Sequence, residues 1–312
     1  MLTLGSVSSA HGRLQLQDAC LGHATCYRSL DLSAWLLDHV LLQSSLYSVL
    51  PRIPHTITGY LLPSCHRLTL SHVLLDSDHL KGFLSSVHFP RLTSLNLSFC
   101  LTVTEDMLML LAANGVNLHE LLLKGCSLVR DGQLLEKATR SIRHLDLSWS
   151  GIRTLPRRIN PTAILPAEDD WDTMLVDPEE EPVWPHMTSL KLSACDHLQR
   201  DSLSTFLTDT LPPSIHHLNL SDLSPYVISK HALHKLSVTS SYKSAQPTSL
   251  QIIDLSRIDI LTVQDIQHFS SHWSSKRNEQ QPSIRIKHTA ILESDDPAGY
   301  RQFIRFLSGG LP

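Results

Sequence analysis

An α/β solenoid, with parallel strands on a concave face and helices on a convex one, is the fold this sequence predicts. Three observations predict it: a nine-residue apolar pattern recurs along the chain, several copies lie one strand-and-helix unit apart, and helical periodicity fills the intervals. The pattern is clearest in "LTSLNLSFC", with Leu92, Leu95 and Leu97 at its apolar positions and Cys100 closing it. It returns in "LHELLLKGC", with Leu118, Leu121, Leu123 and Cys126. Further copies are "IRHLDLSWS" from Ile142, "MTSLKLSAC" from Met187, "IHHLNLSDL" from Ile215 and "LQIIDLSRI" from Leu250. Upstream, "CHRLTLSHV" from Cys65 and "YRSLDLSAW" from Tyr27 follow the same pattern, and a fragment, "SIRIKHTAIL", lies near the C-terminus.

Leu70, Leu97, Leu123 and Leu147 are 27, 26 and 24 residues apart, within the period of leucine-rich repeats. Other intervals are longer: 38 from Leu32 to Leu70, 45 from Leu147 to Leu192, then 28, 35 and 31 to Ile286. Side chains alternate across a strand, so the leucines of "LNL" point into a core and the residue between them points out. One such unit cannot bury its apolar face alone, and stacked neighbours make a continuous core. Between strands, Leu80, Phe83, Leu84 and Val87 recur at helical spacing, as do Leu203, Phe206 and Leu207, or Ile266 and Phe269. Each repeat is therefore expected to be a strand, a turn and a return helix.

The 26-residue spacing, the closing cysteines Cys100, Cys126 and Cys195, and helical return segments resemble the cysteine-containing subclass of leucine-rich repeats. The resemblance covers roughly residues 27–290. In that family such repeats form the substrate-recognition half of F-box ubiquitin-ligase receptors and of related ribonuclease-inhibitor-like proteins. It therefore implies a horseshoe that binds a protein partner, with a link to ubiquitin-ligase substrate recognition. The closing position is Ser150, Leu223 or Ile258 in other copies. No recognisable F-box is expected ahead of the repeats, because residues 1–26 are too short for one.

Three regions follow. Residues 1–26 form an N-terminal cap, with "GRLQLQDACLG" as a candidate irregular strand; 27–290 hold the repeats; 291–312 form a C-terminal cap. In the last, Tyr300, Phe303, Ile304 and Leu307 make one apolar helical face behind Pro297. The 45-residue interval carries an insertion at 157–185, rich in acidic residues: Glu168, Asp169, Asp170, Asp172, Asp177, Glu179, Glu180 and Glu181. Its charge and prolines favour a solvated loop outside the stack, with the strands at Leu147 and Leu192 still pairing directly. Trp171, Met174, Leu175 and Trp184 are the residues that could anchor it.

Composition narrows the function. A net charge of -4 leaves no basic footprint, so nucleic acid is not an expected partner. No run approaches the roughly 18 apolar residues of a membrane helix. The opening "MLTLGSVSSAHGRLQLQ" does not read as a secretory signal. Cys20, Cys26, Cys65, Cys100, Cys126 and Cys195 form no C-x-x-C pair, which fits reduced thiols in the cytoplasm or nucleus. Cys100, Cys126 and Cys195 are expected to pack as small buried groups. No metal site or cofactor is expected: His268 and His272, or His216 and His217, lack converging ligands.

The exposed strand positions are the candidate contact surface. Between the two core residues stand Asp31, Thr69, Asn96, Leu122, Asp146, Lys191, Asn219, Asp254 and Arg285. After the second stand Ser33, Ser71, Ser98, Lys124, Ser148, Ser193, Ser221, Ser256 and Lys287. With neighbouring strands about 4.8 Å apart, these form two ladders across the concave face. Asn96, Leu122, Lys124, His144, Asp146, Lys191, Asn219, Asp254 and Arg285 are the candidate protein-binding residues, with the acidic loop as an accessory element. His144, Asp146 and Ser148 imitate a hydrolase triad, but an extended strand puts the outer two about 13–14 Å apart, too far for catalysis. A non-catalytic scaffold or adaptor is the reading; an enzyme with its site in the loop insertions is the alternative.

Overall fold

The computed structural model describes residues 2–3, 28–31, 65–72, 77–86, 91–113, 116–157, 182–239, 250–262, 264–267 and 283–285. Ten strands form one sheet in chain order: β1 (Leu2–Thr3), β2 (Ser29–Asp31), β3 (Arg67–Thr69), β4 (Ser94–Asn96), β5 (Glu120–Leu122), β6 (His144–Asp146), β7 (Ser189–Lys191), β8 (His217–Asn219), β9 (Ile252–Asp254) and β10 (Ser283–Arg285). Every pairing is parallel and in repeat register, so Leu68, Leu95, Leu121, Leu145, Leu190, Leu218 and Ile253 sit side by side. All of these are buried. One step further, Leu97, Leu123, Leu147 and Leu192 are each 0% exposed, as the recurrence predicts. Leu123 is enclosed on both sides by its counterparts, so Leu123→Ala removes contacts that cannot close up. A loss of about 2–5 kcal/mol in chemical denaturation is expected.

The sheet begins earlier than the leucine pattern indicates, because β1 pairs with β2 through Leu2↔Leu30 and Thr3↔Asp31. "GRLQLQDACLG", the C-terminal cap and Glu168, Asp169, Asp170, Asp172, Asp177, Glu179, Glu180 and Glu181 lie outside the described residues.

Return helices follow where the apolar spacing places them: α1 (Ser77–Ser86), α2 (Glu105–Ala113), α3 (Gly132–Ala138), α4 (Arg200–Thr205) and α5 (Lys230–Thr239). α4 runs into a π turn, Phe206–Thr210, which keeps Phe206 and Leu207 buried. Starts are capped as the sequence allows. Asp131 accepts from the backbone N–H groups of Gln133 and Leu134 at 2.8 and 3.3 Å. Ser229 Oγ accepts from Ala232 at 3.1 Å. Thr262 and Asp265 bond reciprocally, each side chain taking the other's N–H, ahead of the short helical turn at 264–267.

No helix joins β6 to β7 among the described residues. Two devices keep the stack continuous there. First, residues 151–155 lie against the neighbouring turns: Gly151 N–H donates to Cys126 O at 3.1 Å and Arg153 N–H to Arg130 O at 2.9 Å. On the other side Gln199 N–H donates to Arg153 O at 2.9 Å, and Leu155 N–H to Ser202 Oγ at 2.7 Å. Second, Trp184 is 0% exposed and packs between the described elements on either side of this crossover. Its Nε1–H donates to Thr139 Oγ1 at the end of α3 (3.0 Å), and its ring meets Phe206 edge-on at 6.2 Å. β6 and β7 therefore pair directly, as expected.

Candidate protein-binding face

Each strand ends in a sharp turn, and its backbone explains what several candidate residues do. Asn96, Asp146, Asn219 and Asp254 each accept, through Oδ1, the N–H of the residue two further on: Ser98 at 2.9 Å, Ser148 at 3.0 Å, Ser221 at 2.8 Å and Ser256 at 3.0 Å. These are Asx turns, which end the strand by giving the backbone a local partner. The next residue then adopts a positive φ in every described repeat from β3 to β9: His72, Phe99, Gly125, Trp149, Ala194, Asp222 and Arg257. β5 offers Leu122, which cannot accept, and there the left-handed position falls to Gly125. β3 and β7, with Thr69 and Lys191, lack the carboxyl or carboxamide too, yet carry His72 and Ala194.

Four of the predicted contact residues are thus half-buried turn-formers that expose only part of their side chains to the concave face. The others divide. Lys191 and His144 are exposed; Lys191 Nζ pairs with Asp146 Oδ2 at 3.4 Å, and His144 Nδ1 lies 3.5 Å from Thr188 Oγ1. Leu122 is half-buried in the same row. Lys124 is half-buried, with its ammonium 5.7 Å from the centre of the Phe99 ring. Arg285 is in register with Asp254 at the last described strand.

The serine ladder is not the open surface that strand alternation predicts. Ser98, Ser148, Ser193, Ser221 and Ser256 are only 6–9% exposed. They sit where the chain turns, so neighbouring strands and the left-handed residues cover them. Ser193 Oγ lies 2.8 Å from Ser221 Oγ, and Ser256 Oγ donates to Asp254 Oδ1 at 2.5 Å. In the apparent triad, Asp146 serves Lys191 and the Ser148 N–H, and Ser148 is 6% exposed.

Sequence reasoning passed over two rows, save for His144. The first strand position, in register through Arg67, Ser94, Glu120, His144, Ser189 and His217, also faces outward. Within it Ser94 Oγ donates to Glu120 Oε2 at 2.6 Å, and Arg67 Nη2 lies 3.9 Å from the same oxygen. The second is the left-handed row, where Trp149 is 61% exposed and Arg257 pairs with Asp222 at 2.6 Å. Its signal was legible in "SFC" and "SWS", where an aromatic residue holds the same place in two copies.

The closing cysteines face inward. Cys100, Cys126 and Cys195 are each 0% exposed, and each thiol donates to the carbonyl of the leucine that ends the preceding strand: Leu70 at 2.9 Å, Leu97 at 3.1 Å and Leu147 at 3.0 Å. Burial pushes the Cys126 thiol, ordinarily at 9.0, up to about 12, with Cys100 beside it adding to the shift. Burial does the same to Cys195, to about 12, against an opposing hydrogen bond from Ser150. Below pH 9 both folded and unfolded chains keep these protons, so stability does not change on their account. Between 9.0 and about 12 only the unfolded thiol ionises, so stability falls as pH rises through that window. At pH 8, alkylation of Cys126 in the folded chain is expected to run about a thousandfold slower than in denaturant. Cys126→Ala should weaken stability modestly.

A groove of about 450 Å³ lies beside α5, lined in part by Leu233, His234, Leu261 and Ile266, with Lys230 and Asp265 joined across 2.7 Å. Burial opposes ionisation of Asp265, but bonds from Lys230 and Thr262 outweigh it and hold its carboxyl below the ordinary value. No cluster of three His, Cys, Asp or Glu side chains among the described residues could hold a metal ion. No described helix is long and apolar enough to cross a membrane.

Neither a family model nor a curated protein matches the sequence significantly. Among solved structures, the chain is similar to the leucine-rich repeat-containing protein LegL7 from Legionella pneumophila, at 19% identity and a TM-score of 0.41, over 100% of this chain and 97% of that one. It is similar to TLR13 in its complex with ssRNA13 at 18% identity and a TM-score of 0.41, over 73% of this chain and 30% of that one. Rad7 and Elc1 of yeast give 14% identity and a TM-score of 0.24, over 90% of this chain and 98% of the other. These likenesses are distant, and the assignment rests on the chain's own geometry. Recurring buried leucines, one unbroken parallel register and return helices between the strands give this chain the fold of a leucine-rich-repeat solenoid.

Proposed function

We propose that the chain is a non-catalytic protein-binding scaffold that engages a protein partner through its concave face. The observation that carries this reading is the continuous outward row from Arg67 to His217, a broad polar surface of mixed charge held on a rigid sheet. Reduced, buried cysteines support a cytoplasmic or nuclear setting. The finer reading is an adaptor of the kind that recognises substrates for ubiquitin ligases. Its support is the resemblance of the cysteine-closed repeats to that subclass, and the acidic segment would add electrostatic attraction to a basic partner.

The test must spare the turn-formers, since Asn96, Asp146, Asn219 and Asp254 hold the fold as well as face the groove. His144, Lys191 and His217 are exposed and suit the purpose. Affinity purification with mass spectrometry should recover a partner with the native chain and lose it with the His144→Ala, Lys191→Ala, His217→Ala combination, at unchanged melting temperature. Partners retained by that variant would exclude the concave face. Deleting Glu168–Glu181 should leave stability nearly unchanged and slow association at low salt, with the difference fading as salt rises. Association unaffected at low salt would remove the acidic segment from the contact.

A further inference from the structure

The serine hydroxyls are satisfied from within at one end of the stack, whereas two towards the other end have no partner among the described residues. Ser193 and Ser221 bond each other, and Ser256 bonds Asp254. Ser98 and Ser148 are 9% and 6% exposed, their N–H groups are taken by Asn96 and Asp146, and neither hydroxyl finds a partner among the described residues. Lys124 lies between them: Phe99 N–H donates to Lys124 O and Gly125 N–H to Ser148 O, which sets Ser98, Lys124 and Ser148 abreast on three neighbouring strands. Among the described residues, Arg67 pairs with Glu120, Lys191 with Asp146 and Arg257 with Asp222. Lys124 pairs with no carboxylate among the described residues and rests only on the Phe99 ring.

The surroundings add an apolar shelf. Phe99 is stacked on His72 at 4.6 Å, and its ring occupies the space where a side chain at position 125 would lie, since a Cβ there would meet Phe99 Cδ1 at 2.5 Å. Trp149 stands on the far side, 61% exposed, with Ala194 next in its row. Both aromatic residues hold left-handed backbone, φ 60° and 62°, a conformation that bulky residues adopt at a cost and that glycine would adopt freely. The Trp149 ring, kept solvent-facing at such a position, points to contact with something outside the chain.

We propose that Ser98, Lys124 and Ser148, bounded by Phe99 and Trp149, form a docking site for an acidic peptide segment of the protein partner. This rests on the concave-face reading and names the chemistry recognised there. A carboxylate meets the Lys124 ammonium, the flanking hydroxyls donate to neighbouring peptide carbonyls, and an apolar side chain lies on the Trp149 indole. Two strand spacings, about 9.6 Å, separate the serines, the length of about three residues of extended peptide. One cation with two neutral donors matches a monoanionic carboxylate; phosphorylated segments are commonly held by clusters of arginines. A nucleic-acid backbone would call for a broad basic stripe, whereas the neighbouring cations here are already paired with carboxylates.

Panning a random dodecapeptide phage library on the full chain tests this. Enriched sequences should carry Asp or Glu beside an aromatic or aliphatic residue. Binding of a fluorescein-labelled winner, read by fluorescence polarisation, should weaken roughly ten- to hundredfold in Lys124→Met and in Trp149→Gly. Trp149→Gly relieves backbone strain, so its melting temperature should not fall, which separates lost contact from lost fold. Winners without acidic residues, or affinities unchanged in both variants, would overturn the proposal. Tighter binding after deletion of Glu168–Glu181 would assign the site to the chain's own acidic segment and also overturn it. If the winners instead depend on His144, Lys191 and His217 alone, this site fails while the concave-face reading stands.

Discussion

Trp184→Ala should destabilise the protein by about 3–5 kcal/mol, the range for removing a fully buried large aromatic side chain. The indole takes a place that helices occupy in the neighbouring described crossovers. α1 packs on α2 and α2 on α3, but between α3 and α4 the crossover has no described helix, and the ring bridges Thr139 to Phe206 instead. Truncation leaves a cavity between two rigid layers and deprives Thr139 of its indole donor, although Thr139 Oγ1 still donates to Leu135 O at 2.6 Å. Because each repeat touches only its neighbours, the loss should divide the stack at this joint. Hydrogen exchange should then show the segments before and after residue 184 opening separately. A single cooperative transition at the native midpoint would show that the joint does not depend on the indole. Trp184→Phe should recover much of the packing and none of the hydrogen bond.

Gly151→Ala is expected to cost about 3 kcal/mol or more, at the upper end of overpacking effects. A Cβ at this position would lie 1.9 Å from Ser127 O and 2.7 Å from Ser127 C, and both are backbone atoms with no rotamer to yield. Relief requires residues 151–155 to move away, breaking the bonds from Gly151 to Cys126 and from Arg153 to Arg130. Gly132→Ala creates a second clash between the same two segments, at 2.4 Å from Thr154 O. Gly125→Ala is the control. Its Cβ would meet the Phe99 ring, which can rotate, and its φ of 72° adds strain of about 1 kcal/mol. Equal melting temperatures for Gly151→Ala and the native chain would show that the two backbone segments separate without penalty.

Much of this molecule was legible as text. A leucine every second position, repeated at about 26 residues, leaves a strand only one way to bury its face, so the register from Leu68 to Ile253 follows from the pattern. Direct pairing of β6 with β7 followed for the same reason, since the flanking copies can be buried only by each other. Burial of Cys126 followed from its place in the repeat.

The roles of polar residues did not follow. Strand alternation puts Asn96 and Ser98 on one open face, and it holds only while the strand continues. The chain instead turns at that point, so Asn96 becomes a backbone acceptor, Ser98 is covered, and the left-handed residue Phe99 takes the outer edge. Trp184 read only as a candidate anchor of the acidic insertion and Gly151 gave no signal, because their partners Thr139, Phe206 and Ser127 are distant in sequence and belong to other repeats. Periodic burial is a local property that each repeat satisfies with its own leucines, so sequence alone determined the sheet from β2 onward and its order. The turn geometry, the joint at Trp184 and the surroundings of Lys124 depend on backbone atoms of neighbouring repeats meeting at van der Waals distance. Only the stacked structure decides those.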